Sequence, residues 1–330
     1  MNAKGHHRLK NKLFDLRFDR MERYIYMNVK KSKVRNANKV MYLLLLPAII
    51  SVIIFNFLPF AGIVIAFKDY DVIDGILGSP WVGFDNFIKI FKYPEMLASI
   101  KNTLIFSIVG VFGKFPFPII LALMFNEIRS MKFKKVVQTI SYFPHFLSWA
   151  SVCALIYAMF AIDGPVNNIM AKLIGTGYER ANILMDSKNF LPVLFFSGLW
   201  KELGWSSIIY LAAIAGIDQS MYEAAEVDGC NRFKQVIYIT LPSIKTTIVL
   251  VLLLGMGSLV TANFEHVYGL QNVYTQNETE VINTLVYRKG IQGGEYSLAT
   301  AFGLMQGIVS VTLVILANKF SKAVSETSLW

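Results

Sequence analysis

Charge is scarce in this chain. Only 16% of its 330 residues are Asp, Glu, Lys or Arg, where a soluble domain carries about 25%. A chain this long with so little charge cannot cover a water-facing surface. Disorder is excluded on the opposite ground, because 55% of the residues are hydrophobic and disordered chains lack that apolar content. Cysteine is nearly missing: Cys153 and Cys230 are too few for a disulfide scaffold or a multi-cysteine metal site. The four histidines (His6, His7, His145 and His266) have no partners at metal-ligand spacing. No G-x-x-x-x-G-K-S/T run occurs, so the chain has no P-loop with which to hold ATP. Neither H-E-x-x-H nor G-x-S-x-G is present, which leaves an intramembrane enzyme without support. What remains is a chain whose main solvent is lipid, yet whose formal charge is +10.

Long apolar runs are abundant. Six stretches, at about 40–67, 102–125, 136–161, 190–216, 244–264 and 298–317, reach the roughly 20 residues that a helix needs to cross the hydrocarbon. They are too long and too uniformly apolar for barrel strands, which alternate over about ten residues. An all-α, polytopic bundle follows, because helices satisfy their own backbone groups in lipid. Pro47, Pro59, Pro116, Pro118 and Pro144 fall in or near the spans and are read as kinks.

Lys and Arg in the connections give the orientation. Residues 1–39 carry twelve basic side chains against three acids; 126–135, 217–243 and the tail after 317 bring their side to twenty, against nine on the other. Both termini are therefore expected in the cytoplasm. The basic start is too long, and the apolar run behind it too full, for a cleavable signal. Two readings of residues 1–39 stand: an amphipathic helix on the anionic inner leaflet, or a basic flank that only sets topology. Segment 217–243 goes against the bias, with Arg232 and Lys234 facing four acids. Something besides topology shaped it.

That segment reads as two short helices around a turn. Asp218 is a suitable cap, Met221 to Glu226 a helix former, Asp228-Gly229 a stop, and 230–240 a second helix ended by Leu241-Pro242. The small face of Ala224 and Ala225, beside Glu223, suits insertion into a groove on another protein; an ordinary re-entry loop is the plain alternative. In the outer segments, Trp81, Phe84, Phe87, Ile88 and Phe91 have helical spacing. They suggest an amphipathic helix on the outer surface, either docking a partner or capping the bundle.

Glu223-Ala224-Ala225, then Gly229, then Ile239-x-Leu241-Pro242 resembles the coupling-loop signature of binding-protein-dependent ABC importer permeases. Cys230 stands where that family usually has Ala. Ser79 to Phe87, Gln138 to Trp149, Trp200 to Trp205 and Asn263 to Tyr268 resemble its carbohydrate branch, related to the maltose importer. Val286-Tyr-Arg-Lys-Gly290 and the ending Ser328-Leu-Trp330 are similar to the subgroup importing oligosaccharides released by polysaccharide lyases, the alginate importer's permease most of all. The resemblance covers about 40–330, so a permease domain follows the basic segment 1–39.

The resemblance implies a six-helix, non-catalytic permease subunit in the bacterial inner membrane that moves oligosaccharides, alginate-type acids above all, by alternating access. It implies a second permease completing a heterodimer, two ATPase subunits carrying ATP and Mg, and a periplasmic binding protein. This chain itself would hold no cofactor. ATPase coupling falls to Glu223, Ala224, Ala225, Asp228 and Gly229, with Gly229 at a turn that a Cβ could obstruct. Substrate-path positions carry over to Lys201, Glu202, Trp205, Ser258 and Asn263. Trp205 would stack on a sugar face, Ser258 and Asn263 would bond hydroxyls, and Lys201 would meet a uronate. Alternatives stay open: Lys201 and Glu202 snorkelling, Trp205 in an interfacial belt, and mid-span Lys114 either in the path or paired with a partner's acid. Tyr142, His145 and Trp149 could line the pore or simply pack. A proton-coupled transporter would need internal repeats and midplane carboxylates; only Glu202 lies within a span, near an edge.

Overall fold

The computed structural model describes residues 41–325, Thr176 apart. It is helical, and its one β feature among the described residues is an isolated bridge between Lys68 and Trp81. Contacts divide the chain into residues 1–63 and 64–330. The expectations for 1–39 and for the Ser328-Leu-Trp330 ending lie outside the described residues.

The first unit contributes most of helix α1, Met41–Phe67, whose most apolar stretch is not buried at all within the chain. Pro47 interrupts nothing. Pro59 cannot donate to Phe55 and its ring crowds that carbonyl. The rod accordingly opens into a π turn at Ile53–Phe57 and tightens to a 3-10 helix over Leu58–Phe67.

In the second unit, α2 (Asp85–Lys92) turns Asn86 and Ile90 inward and Phe84, Ile88 and Phe91 outward. Asn86 Nδ2 donates to the carbonyls of Ala66 and Lys68, both at 2.9 Å. Helix α3 (Pro94–Glu127) is a single long span with a π turn at Val109–Gly113. Pro116 lies in the first turn of its second half, where no N–H is needed.

The expected third span, 136–161, is corrected. It is two helices, α4 (Met131–Tyr142) and α5 (Trp149–Phe160), separated by a 3-10 turn at Phe143–Phe146 and an extended Leu147. Pro144 ends a helix here, and Ser148 caps the next by accepting from Ser151 N at 3.2 Å. The apolar stretch long enough to cross runs instead from Trp149 to Ile174, through α6 (Pro165–Ile174).

Helix α7 (Phe190–Ala215) has 26 residues, ample for a crossing. After α8 (Gln219–Val227), α9 (Arg232–Ser243) meets α10 (Lys245–Met256) at a 60° bend. The second loop helix does not stop at Leu241-Pro242, because proline in a first turn is compatible with helix. Among the described residues four helices are long and apolar enough to cross alone, and the bent pair, taken as one span, makes a fifth. Helix α7 is compatible with the sixth, its apolar run diluted by Lys201 and Glu202.

The fifth span leaves helix at Met256 rather than continuing to 264. Within hydrocarbon the freed carbonyls need donors, and distant residues supply them. Gln306, on the last helix (Tyr296–Ser325), donates to Val260 O, and Asn283 Nδ2 donates to Ala262 O at 2.9 Å. Gln306 Nε2 also reaches Asn283 Oδ1 at 2.9 Å. Three apolar clusters hold the unit. The first joins α5, α7 and α11 (Phe264–Leu270) through Val152, Leu194 and Val267. The second sets Ile90, Met96, Leu285 and Phe302 together. The third packs Ile119 and Ala122 of α3 on Tyr210 and Ile214 of α7.

Candidate functional site

The α4–α5 break is fastened to α7. Lys201 is buried, and its Nζ donates to His145 O at 2.7 Å, a carbonyl released by the break. The ammonium also lies 5.0 Å from the Trp149 ring centre and 3.4 Å from Glu202 Oε1. Glu202 Oε2 is 2.8 Å from His145 Nδ1. Neighbouring helical residues point about 100° apart, yet these two long side chains meet, because both converge on His145. Trp205 stacks on the His145 ring at 4.4 Å with a 1° tilt. A second histidine closes the next turn: His266 lies on Trp149 at 3.9 Å and its Nε2 is 2.9 Å from Ser197 Oγ.

Two adjoining cavities flank this cluster. One, of about 260 Å³, is lined by Lys114, Gly198, Glu202, Ser206 and Tyr210 among others. The other, of about 250 Å³, is lined by Lys114, Ser258, Thr261, Asn263 and His266 among others. Gly110, Val111 and Lys114 border both. Glu202, Ser258 and Asn263 therefore reach cavity walls. Lys201 and Trp205 border neither. Lys201 is taken up by the clamp, and Trp205 turns one face to His145 while remaining half-exposed. Asn263 has a further duty, since its Oδ1 accepts from His266 N at 3.0 Å and caps α11. Ser258 Oγ donates to Gly255 O at 2.7 Å.

In segment 217–243, Asp218 Oδ1 accepts from Ser220 N at 3.0 Å and caps α8. That backbone donor holds the Asp218 carboxyl below its usual range. Gly229 has φ +77 and closes the turn, and Cys230 N donates to Ala225 O at 2.8 Å. Nothing lies within 4 Å of a Cβ built at Gly229. The turn therefore needs glycine for its backbone angle and not for space. Tyr222 Oη lies 2.9 Å from Thr240 Oγ1, tying α8 to α9. Glu223, Ala224, Val227, Asp228 and Gly229 are exposed. Ala225, the remaining residue of the expected joint, is buried against its own chain.

The sequence pattern of the binding-protein-dependent transport system inner membrane component family matches residues 114–326. The chain belongs to this family. It is 42% identical over 292 residues to YteP of Bacillus subtilis (strain 168), a polygalacturonan/rhamnogalacturonan transport system permease protein, covering 88% of this chain and 90% of that one. LplB of the same organism is 39% identical over 294 residues, covering 89% and 92%. Among solved structures, a bacterial ABC transporter involved in the import of the acidic polysaccharide alginate matches with TM-score 0.80 and 38% identity over 88% of this chain and 97% of that one. The alginate ABC transporter in complex with an alginate pentasaccharide-bound periplasmic protein matches at TM-score 0.81 and 37% identity, covering 89% and 98%.

This family member is thus the permease component of a sugar ABC importer; ATP hydrolysis belongs to a separate subunit. Among the described residues no group of His, Cys, Asp or Glu could hold a metal ion. Sequence reasoning missed the pairing roles of His145 and His266. Their partners lie 57 and 69 residues away, beyond any local spacing rule.

Proposed function

We propose that this permease carries uronate-bearing oligosaccharides into the cytoplasm by alternating access, as one half of a heterodimer with a second permease. Two ATPase subunits, holding ATP and Mg, dock on segment 217–243, a binding protein delivers the sugar at the outer face, and both termini lie in the cytoplasm. The basic segment 1–39 precedes a permease domain over 40–330. The observation that carries the substrate class is Lys114, the single Lys or Arg lining the two cavities among the described residues. Relatives named for polygalacturonan and for alginate support it. Glu202, Ser258 and Asn263 contribute polar groups to the path, while Lys201 and Trp205 act by holding its wall. Glu223, Ala224, Asp228 and Gly229 meet the ATPase, and Ala225 sets the curvature beneath them. Uptake of an oligouronate by proteoliposomes holding all four subunits should require ATP and the binding protein, and persist when the proton gradient is collapsed. Uptake driven by a proton gradient without ATP would contradict this reading.

A further inference from the structure

We infer that the ammonium of Lys114 is the seat of a substrate carboxylate, and that His145 and Lys201 keep Glu202 from occupying that seat. The inference rests on the uronate reading above and goes beyond it by naming the group that holds the acid.

Lys114 sits in the middle of α3, where a charge is expensive and is found facing a cavity or a partner. It reaches across to α7 at Gly198, the residue that makes room for it: a Cβ there would overlap Nζ. The Phe195 ring lies 5.9 Å from Nζ, a weak cation–π contact at the edge of useful range, and His266 lines the same cavity beside Gly198. Among the described residues it has no ion-pair partner. Glu202 is the one acid lining the same cavity. That carboxylate is already spent, with Oε2 on His145 and Oε1 near Lys201. Lys201 and Glu202 balance in charge, so with Lys114 the three groups keep one net positive charge, on which Glu202 acts from across the cavity. Around that charge stand Ser206, Tyr210, Ser258, Thr261 and Asn263, donors and acceptors suited to hydroxyls. One ammonium among hydroxyl-binding groups is the complement of a uronate ring. A neutral sugar would leave the ammonium unpaired.

The clamp then has a purpose beyond fastening α4 to α7. If His145 released it, the Glu202 side chain could turn within the shared cavity toward Lys114 and act as an internal competitor.

The test is the ratio of oligouronate taken up to ATP hydrolysed, measured on the complete importer in proteoliposomes with loaded binding protein. A defect of folding or docking lowers both quantities and leaves the ratio near wild type. Loss of the carboxylate seat lowers the ratio. Lys114→Met is expected to lower it about tenfold or more, and Lys114→Arg to keep most of it. His145→Phe, which preserves the ring against Trp205, should lower the ratio too, and adding Glu202→Gln should restore it. A wild-type ratio in Lys114→Met, or equal loss of uptake and hydrolysis in both Lys114→Met and Lys114→Gln, would overturn the carboxylate seat. Failure of Glu202→Gln to rescue His145→Phe would overturn the clamp's role. Failure of the wild-type importer to take up any oligouronate would instead defeat the underlying substrate reading.

Discussion

Reversing the charge at Glu223 (Glu223→Lys), or placing arginine at Ala224, is expected to stop uptake while leaving the chain in the membrane at its normal level. Both positions are exposed on α8, so neither change disturbs the chain's own core. The helix beneath them is fixed at three points: the Asp218 cap, the Tyr222–Thr240 contact and the Cys230 N–Ala225 O bond. A rigid element pushed by a partner transmits displacement; a loose one absorbs it. Losing a central contact of a protein interface costs about 2 kcal/mol or more, roughly thirtyfold in affinity, and a bulky cation in place of a methyl adds a clash. Ala225→Leu should behave differently. That side chain is buried within the chain, and overpacking costs about 1–3 kcal/mol, so the amount of folded permease should fall along with uptake. At Gly229, valine must adopt φ near +77, a strain of about 1–2 kcal/mol, whereas asparagine tolerates that region. Gly229→Val should therefore impair coupling more than Gly229→Asn. Quantifying permease in membranes alongside uptake separates these outcomes. Wild-type uptake by both Glu223→Lys and Ala224→Arg would remove segment 217–243 from the energy path.

Gly204→Leu is expected to abolish assembly of the permease. A Cβ at this position of α7 would overlap the Ser141 carbonyl oxygen, with the carbonyl carbon at 2.5 Å and Tyr142 N at 3.0 Å. The obstacle is backbone, which cannot swing aside as a side chain can. Small residues of this kind let membrane helices approach closely, and here the approach places α4 against α7 just ahead of the Pro144 break. Separating them would also pull His145 from Lys201 and Glu202, so the loss should exceed ordinary overpacking. Gly204→Ala should already reduce thermal stability in detergent. Full-strength assembly of Gly204→Leu, measured by recovery of the intact complex, would show that the crossing is looser than described.

The sequence made some of this legible and hid the rest for physical reasons. Apolar runs mark spans because hydropathy averages over twenty residues, and the 217–243 turn is local chemistry: a cap, a stop and a glycine. The breaks at 143–148 and 257–263 do not show in such averages. Each is a short mixed stretch, FPHFLS and GSLVTAN, diluted by the apolar residues around it, and what permits it is remote. His145 O is met by Lys201, 56 positions on, and Val260 O by Gln306, 46 positions on. Lys201 itself illustrates the limit. A lysine in a span reads either as a ligand-binding charge or as a snorkelling one; here its Nζ meets His145 O, and Lys114 lines the cavities. The expected Ala224–Ala225 face divided for a similar reason, because only the folded loop shows which methyl points home.

ATP hydrolysed by partner subunits is expected to drive an acidic oligosaccharide through this permease. The most direct measurement is ATPase activity of the purified importer in lipid nanodiscs, with binding protein offered either an oligouronate or a neutral oligosaccharide of equal length. Hydrolysis should rise with the oligouronate and stay near its unstimulated rate with the neutral sugar. Stimulation by the neutral sugar alone, or by both equally, would contradict it.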